Sequence, residues 1–364
     1  MNRNLNVNIQ PVSNNRYRLF FVFLLAGISI LYFSFRSEED PRLRITKKDV
    51  QVKLPKDFPK PVYRFRNNKP DPDVFVLGRT LFYDNLLSKD NSTSCGTCHQ
   101  QFAAFAHIDH ALSHGIYGKM GKRNVPALQN LIWNTSFMWD GSMASLEKQP
   151  INPIINPIEM DETMDHVVLK LRGDEHYRKL FQKAFHDSSI TSGQILKALA
   201  QFTGLMISAN SKFDRYMRNE VELTATEQQG LELFRSRCAN CHREPLFTDN
   251  SIRNNGLKMD TTLNDSGRSI LTGKPEDVGQ FRVPSLRNVE VSYPYMHDGR
   301  FRTLKDVIRF YSDAGNFSNG ADKSMQHIGR IDPKEQEALI AFLKTLTDPT
   351  FLRDRRFADP HLFQ

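Results

Sequence analysis

The chain has 364 residues, 39% of them hydrophobic and 25% charged, with 19 glycines and 18 prolines, so it is neither disordered, collagen-like nor a polytopic membrane protein. Of the net charge of +8, +4 falls in residues 1–50, and no basic run marks the rest, so a nucleic-acid partner is not indicated. The length predicts two compact units.

An apolar segment without charges covers residues 19–35 (LFFVFLLAGISILYFSF), after three arginines and before the acidic run at 38–40. Its length lies between the about 7–15 residues of a signal-peptide core and the about 20 of a spanning helix. No clean cleavage site follows. We therefore predict a signal anchor that leaves residues 1–18 in the cytoplasm and the body facing the periplasm.

The rest of the chain divides by composition into a charged, proline-rich linker and two larger regions. The predicted bounds are 36–70 for the linker, 71–217 and 218–348 for the two regions, and 349–364 for a C-terminal tail. Strand-like alternation is scarce. The predicted fold class is mainly α, with two domains packed together.

Helices are predicted where apolar residues recur three and four positions apart, over 195–206 and 339–346. Three further helix starts pair a capping residue with an acid in the first turn: Thr224 with Glu227, Thr303 with Asp306, and Asp332 with Glu335. Structured loops are predicted over 150–157 and 254–280.

All four cysteines occur in two copies of one motif, CGTCH at 95–99 and CANCH at 238–242. This spacing is the attachment signature of c-type haem, in which two thiols bind the vinyl groups and the adjoining imidazole binds the iron. We therefore predict two covalent haem c groups, held by Cys95, Cys98 and His99 and by Cys238, Cys241 and His242. Each motif is predicted to end one helix and to be covered by a second, as in cytochrome c.

A four-cysteine zinc site and two ordinary disulfides are the alternatives. The cysteine pairs of such zinc sites lie about 15–20 residues apart, whereas Cys95 and Cys238 are 143 residues apart. A histidine after each second cysteine is required by haem and by neither alternative, so haem attachment is favoured.

The ligand on the far side of each iron separates electron carriers from catalysts, because only an open position admits peroxide. For the first haem, His107, His110 and His114 all follow His99 closely, and spacing does not choose among them.

For the second haem, a predicted helix face carries Leu304, Val307, Ile308 and Tyr311. Tyr311 is a candidate ligand, although a tyrosine on such a face is more often a core residue. Met296, Met325 and His327 compete with it.

The chain resembles the bacterial di-haem cytochrome c peroxidase family, which includes the MauG-type enzymes. Beside the two haem motifs, the blocks that follow the family's pattern in order are RNVP (123–126), FMWDG (137–141), Gln149, NPIEM (156–160), NSKFD (210–214), VPSLRN (283–288) and PYMHDGR (294–300).

The resemblance implies that the haem on His99 reacts with peroxide and that the haem on His242 transfers electrons. His114 matches the distal histidine that many of these peroxidases place on the first iron at rest and withdraw on reduction. Gln149 and Glu159 match the distal pocket pair. A carboxylate there can relay a proton between the peroxide oxygens, and an amide can orient them without adding charge.

The resemblance further implies that Trp139 lies between the haems and that Asn124 binds an inter-haem calcium ion together with the carbonyls of Ser292 and Pro294. At Tyr311 the sequence departs from the usual peroxidases, which carry a methionine there, and follows the MauG-type enzymes.

Three hypotheses follow. The first is a membrane-anchored, periplasm-facing peroxidase that reduces hydrogen peroxide with electrons from a small cytochrome c or similar donor, with a homodimer implied by the resemblance. The second, favoured by Tyr311, is a MauG-like oxidase of a protein or other substrate. The third is a di-haem electron carrier or redox sensor with both irons fully ligated.

Overall fold

Two helix pairs, one in each half of the chain, hold the structure together. The structure is a computed structural model that describes residues 44–313, 317 and 320–363. The predicted anchor at 19–35 lies outside these ranges. Within them, no helix combines the length and apolar character needed to cross a bilayer. Residues 45–362 form one compact unit.

The described elements are mainly helical, which confirms the predicted fold class at that level. The α-helices are α1 (Pro72–Tyr83), α2 (Cys95–Cys98), α3 (Ile151–Ile155), α4 (Met164–Gly173), α5 (Glu175–Phe185), α6 (Ser192–Gly204), α7 (Lys212–Met217), α8 (Ala225–Arg237), α9 (Ser269–Thr272), α10 (Leu304–Ser312), α11 (Pro333–Lys344) and α12 (Pro349–Leu352). Two short strands, β1 (Ile252–Arg253) and β2 (Phe281–Arg282), pair in antiparallel fashion, with Ile252 opposite Arg282.

The two helix pairs cross in the same way. In the first pair, a Cβ added to Gly78 of α1 would lie 2.0 Å from the carbonyl oxygen of Ala198 on α6. In the second, a Cβ added to Gly230 of α8 would lie 1.9 Å from the carbonyl oxygen of Ala338 on α11. Only glycine permits backbones to approach this closely. Both halves therefore use a glycine to bring two helices into contact behind a haem motif.

A phenylalanine pair seals each crossing. The ring centroids of Phe82 and Phe202 lie 5.1 Å apart, and those of Phe234 and Phe342 lie 5.0 Å apart. Each half has its own apolar core. The first core also takes in Val50 and Phe65 from the predicted linker and Phe351 and Phe357 from the predicted tail.

The repetition extends beyond the helices. The backbone N–H of Asn130 donates to the carbonyl of Met206 over 2.8 Å, and that of Asn288 donates to the carbonyl of Leu346 over 3.0 Å. Both asparagines have positive φ, at 59° and 57°. The segments FMWDG at 137–141 and YMHDG at 295–299 occupy equivalent turns, each with a bridge across six residues, 137 to 143 and 295 to 301. Sequence reasoning found the repeated haem motifs but missed this wider repeat.

The predicted helix starts are confirmed. The Thr224 hydroxyl accepts from the Glu227 backbone N–H, and the Glu227 carboxylate accepts from the Thr224 backbone N–H. The same reciprocal cap joins Asp332 and Glu335, while Thr303 caps α10 through the Asp306 backbone N–H.

Two local predictions were wrong. Residues 150–157 were expected to form only a loop but contain α3, because prolines in a first turn remove no helical hydrogen bond. The first haem motif does not end a long helix, since α1 stops at Tyr83 and residues 84–94 intervene before α2. The second motif does, because α8 ends at Arg237, next to Cys238.

Candidate functional site

Each motif histidine is partly buried and held by a backbone carbonyl. The Nδ1 atom of His99 lies 2.6 Å from the carbonyl oxygen of Phe105, and that of His242 lies 3.2 Å from the carbonyl oxygen of Phe247. A carbonyl can only accept, so Nδ1 carries the proton and Nε2 is left as the metal-binding atom. Burial lowers the pKa of His99 to about 4 and also lowers that of His242. Both rings are therefore neutral ligands at pH 7.

The two cysteine pairs line two different cavities. Cys95, Cys98 and His99 line the first, of about 180 Å³, and Cys238, Cys241 and His242 line the second, of about 250 Å³. All four cysteines are free thiols. Because the pairs lie in separate cavities, one zinc ion cannot bind all four sulfurs. This separation excludes a four-cysteine zinc site and disulfides between the two pairs.

The two cavities share one wall. The residues that line both are Asn124, Val125, Pro126, Ala127, Asn134, Trp139 and Arg282. The indole Nε1 of Trp139 donates to the carbonyl of Asn124 over 2.8 Å, and the backbone carbonyl of Trp139 accepts from the backbone N–H of Arg282 over 2.7 Å. These bonds hold the indole in the wall that both cavities share.

The first cavity contains the predicted pair Gln149 and Glu159. Burial raises the pKa of Glu159, and this outweighs the hydrogen bond of 2.8 Å from the Asn156 amide, which lowers it. The Gln149 Nε2 donates to the sulfur of Met138 over 3.6 Å. An amide and a carboxyl with a raised pKa therefore line the cavity that contains His99.

Of the three candidate histidines, only His114 lines this cavity. Gly115, next to His114, lies against the segment that carries Glu159, since a Cβ added to Gly115 would come within 2.4 Å of the Glu159 Cα. The backbone N–H of Ile116 donates to the Glu159 carbonyl over 2.8 Å. The segment that carries His114 is thus attached to the segment that carries Glu159.

Tyr311 lines the second cavity together with Leu304, Val307 and Ile308, which confirms the predicted helix face. The Asn255 amide donates to the Tyr311 hydroxyl over 3.0 Å and to the Met296 sulfur over 3.5 Å. Burial raises the pKa of Tyr311 to about 12, and the Asn255 hydrogen bond opposes this rise.

The competing ligands differ in position. Met296 and Met325 also line the second cavity, whereas His327 is exposed and does not. Asn124, Ser292 and Pro294 line it as well. The Asn124 Nδ2 donates to the carbonyl of Ala111 over 2.9 Å, which leaves its Oδ1 as an available oxygen donor.

Sequence reasoning missed Arg282. It is buried, its pKa is lowered by burial to about 10, and within the described residues it forms no ion pair. An unpaired buried guanidinium is costly, and the carboxylates of a haem would offset that cost. The residues present therefore fit haem c at both motifs. The available signal was the repeat, in which Arg282 precedes VPSL much as Arg123 precedes NVPAL.

Comparison with known proteins agrees with this site. The family model "Di-haem cytochrome c peroxidase" matches residues 72–222, and the model "Cytochrome c" matches residues 227–347. The methylamine utilization protein MauG of Methylorubrum extorquens is 34% identical, over 82% of this chain and 83% of its own length. Cytochrome c551 peroxidase of Nitrosomonas europaea is 32% identical, over 76% and 80%.

Among solved structures, a MauG-like protein associated with microbial copper homeostasis is 32% identical and superposes with a TM-score of 0.79. The match covers 85% of this chain and 99% of that one. The family implies two haem c groups, as the motifs predicted. The chain belongs to the di-haem cytochrome c peroxidase family of oxidoreductases.

Proposed function

We propose that the protein reduces hydrogen peroxide to water with electrons from a small cytochrome c or similar donor. The observation that carries the proposal is the difference between the cavities. The first contains a partly buried carboxyl, Glu159, and an amide, Gln149, whereas the second contains a phenol, Tyr311, on an apolar helix face. One peroxide takes up two electrons and two protons and gives two waters. A group that transfers protons is therefore needed in the cavity where peroxide reacts, and not in the other.

Cys95, Cys98 and His99 would hold the first haem, and Cys238, Cys241 and His242 the second. Haem c supplies an iron that exchanges single electrons and, where one position is open, accepts an oxygen ligand. Arg282 would balance the haem carboxylates from the shared wall.

Glu159 takes the proton from one peroxide oxygen and delivers it to the other. Its Oε1 is held by the Asn156 amide, and its raised pKa brings the carboxyl closer to neutral pH, where both protonation states are useful. Gln149 orients the peroxide by hydrogen bonding and adds no charge. A second buried carboxylate in its place would repel the first.

His114 acts as the switch of the first site. It would bind the first iron at rest and leave it on reduction. Its position on the cavity wall and its attachment through Gly115 to the Glu159 segment support this role. Trp139, hydrogen-bonded into the shared wall, couples the two sites electronically.

Tyr311 would be the second protein ligand of the second iron, beside His242. Without a metal its pKa of about 12 keeps the phenol protonated at pH 7, so ligation as phenolate depends on the charge of the iron. The Asn255 amide would stabilise that phenolate. Met296 and Met325 remain the alternatives.

A calcium ion is proposed at the shared wall, bound by the Asn124 side chain and the carbonyls of Ser292 and Pro294. The support is that all three residues line one cavity and that calcium accepts amide and carbonyl oxygens together. Anchoring through residues 19–35, exposure to the periplasm and assembly as a homodimer complete the proposal.

The test is steady-state oxidation of a reduced small c-type cytochrome by hydrogen peroxide with the holoenzyme. We expect two cytochromes oxidised per peroxide, in line with the electron balance. Electron paramagnetic resonance of the half-reduced protein should show one haem becoming high-spin as His114 leaves. Two permanently low-spin haems without turnover would contradict the proposal and indicate an electron carrier.

Tyr311 favours a second candidate, a MauG-like oxidase of a protein or other substrate. The relative from Methylorubrum extorquens carries the name methylamine utilization protein MauG. This candidate predicts that peroxide is consumed without oxidation of the cytochrome while a partner protein gains the mass change of an oxidised side chain. Mass spectrometry of co-purified proteins after peroxide treatment distinguishes the two candidates.

A further inference from the structure

Three histidines of the segment after the first haem motif form a triangle. The ring centroids of His107 and His110 lie 5.1 Å apart, those of His107 and His114 5.0 Å, and those of His110 and His114 4.9 Å. The three residues lie within eight positions of one another in a segment without regular secondary structure. Packing of apolar groups does not explain three imidazoles that contact one another.

The distance between one nitrogen of His107 and one of His110 suits a shared cation. The Nδ1 of His110 lies 3.5 Å from the Nε2 of His107. Two nitrogens bound to one zinc at 2.0–2.1 Å in a tetrahedron lie about 3.3 Å apart. One nitrogen of His107, one of His114 and the Cys98 sulfur all lie within 4.8 Å of one another. The Asp109 carboxylate is 3.9 Å from the His107 Nε2 and can supply a fourth ligand.

The position of His107 also fits a ligand. It is only 3% exposed, and its Nε2 is the nitrogen that faces both His110 and Asp109. Its contact with the His110 Nδ1, at 3.5 Å, is at the outer limit of a hydrogen bond, so a bound cation would be a better partner for this nitrogen. At the other corner of the triangle His110 is exposed, so a cation can enter from solvent.

The loop is held in this shape without a metal. The backbone N–H of Ser113 donates to the carbonyl of Arg123 over 2.8 Å, and the carbonyl of Ser113 accepts from the backbone N–H of Gly121 over 2.7 Å. His114 and Met120 pair as an isolated antiparallel bridge. The site is therefore largely preformed, which reduces the ordering cost of binding.

We propose that His107, His110 and His114, with Asp109, bind one late first-row divalent cation of the zinc and copper class, for which imidazole is the favoured ligand. Calcium and magnesium are excluded because they require a set of oxygen ligands. Since Cys98 holds the first haem, the cation would lie beside that haem.

A consequence, which rests on the proposed function, is competition for His114. A ring bound to the cation cannot also occupy the first iron, so the metal would favour the peroxide-accepting state. The closing experiment separates this consequence from metal binding itself, because stoichiometry is measured without turnover.

The experiment uses the chelator-treated ferric holoprotein, with calcium present to fill oxygen-rich sites, and zinc as a redox-silent probe. Equilibrium dialysis should give one tightly bound zinc per chain. His110→Ala removes an exposed ligand and should weaken zinc binding about tenfold or more, while haem content by pyridine haemochrome stays at two. His176→Ala, an exposed histidine on α5, should bind zinc like the wild type.

No stoichiometric zinc, or equal zinc affinity in His110→Ala and wild type, would overturn the site. Electron paramagnetic resonance on zinc addition should show an increased high-spin fraction at the first haem. Zinc bound with no spin change would refute the competition and leave the site standing, and zinc bound by a protein inactive toward peroxide would count against the proposed function alone.

Discussion

The two haem regions share one backbone plan and differ where the chemistry differs. Counting from Phe137 and Tyr295, which start equivalent turns, the residue sixteen positions later is Pro153 in the first half and Tyr311 in the second. Both line their cavities. Proline has no side-chain donor for a metal, whereas tyrosine has a phenol oxygen.

The same counting places Gln149 opposite Val307, again with both residues lining their cavities. Both halves thus keep the turn and line a cavity with the residues that follow it. Where the first half has an amide and a proline, the second has an apolar residue and a phenol. In the proposed function, these differences would give the two irons different surroundings on equivalent scaffolds. Substitutions at equivalent positions test this comparison.

The largest effect is expected at the carboxyl that only the first cavity contains. Glu159→Gln should lower peroxide turnover by about 10²–10⁴-fold, the usual contribution of a positioned proton-transfer group. Because burial raises the pKa of Glu159 above its ordinary 4.5, wild-type turnover should fall as pH falls through that raised value, and the variant should lack this acid limb. Stopped-flow rates across pH measure both.

The matched control is Asp161→Asn, two positions away on the same segment, where the carboxylate is bonded to Lys89 near the surface. Its turnover should equal that of the wild type. Equal losses in the two variants would show that the segment, and not the Glu159 carboxyl, is what matters.

A buried ion pair distinguishes the second half. Arg287, which is 0% exposed, pairs with Asp214 over 2.8 Å, whereas the equivalent position of the first half is the neutral Gln129. Asp214→Asn leaves a buried charge without its partner and should lower the free energy of unfolding by about 3–5 kcal/mol. Gln129→Ala should cost less, about 1–3 kcal/mol, because it removes neutral hydrogen-bonding groups only.

The stabilisation by the Asp214–Arg287 pair should depend on pH in the acid range. Burial alone would raise the pKa of Asp214, but the hydrogen bonds and charge of Arg287 outweigh it and lower the pKa below the ordinary 3.8. The stabilisation is present above pH 3.8 and is lost as pH falls through the lower, folded-state pKa. Denaturant titrations from pH 7 downward should show this loss in the wild type and not in Asp214→Asn.

The helix crossings should respond alike if the repeat is a true structural one. Gly78→Ala and Gly230→Ala each place a Cβ about 2 Å from a carbonyl oxygen and should each cost about 1–3 kcal/mol, since backbone has to shift. Gly193→Ala in α6, with space around the new methyl, should be neutral or stabilising. Thermal unfolding of the holoproteins checks this, and a large difference between the first two variants would break the equivalence.

The smallest effect on stability, but a clear optical one, is expected at the second iron. Tyr311→Phe should change the ferric haem spectrum and raise the midpoint potential, because a phenolate ligand stabilises the oxidised state. Tyr295→Phe in the same cavity loses only a hydrogen bond to the Val289 carbonyl, worth about 1 kcal/mol, and should leave the spectrum unchanged. An unchanged spectrum in Tyr311→Phe would exclude it as a ligand.

Local signals in the sequence were sufficient for the haem motifs, for the caps at Thr224 and Asp332 and for the face that carries Tyr311, because each depends on residues a few positions apart. Arg282 could not be identified in this way. Its importance arises from burial in a wall made by distant segments, and a lone arginine in a loop carries no such mark.

Spacing could not choose among His107, His110 and His114 either, since the choice depends on how the loop turns after Phe105. The structure brings only His114 to the cavity wall and brings all three rings together. Pro153 was overlooked because its position matters only in comparison with Tyr311, the equivalent residue of the second half.

The wall common to both cavities makes each half part of the other's haem environment. Its members 124–127 come from the first half yet close the second cavity, and Arg282 comes from the second half yet closes the first. A fragment ending near residue 217 would lack Arg282, so its first cavity would be open on that side. Full enclosure of either porphyrin therefore depends on residues from both halves, so we expect a truncated half to hold its haem in a more solvent-exposed environment.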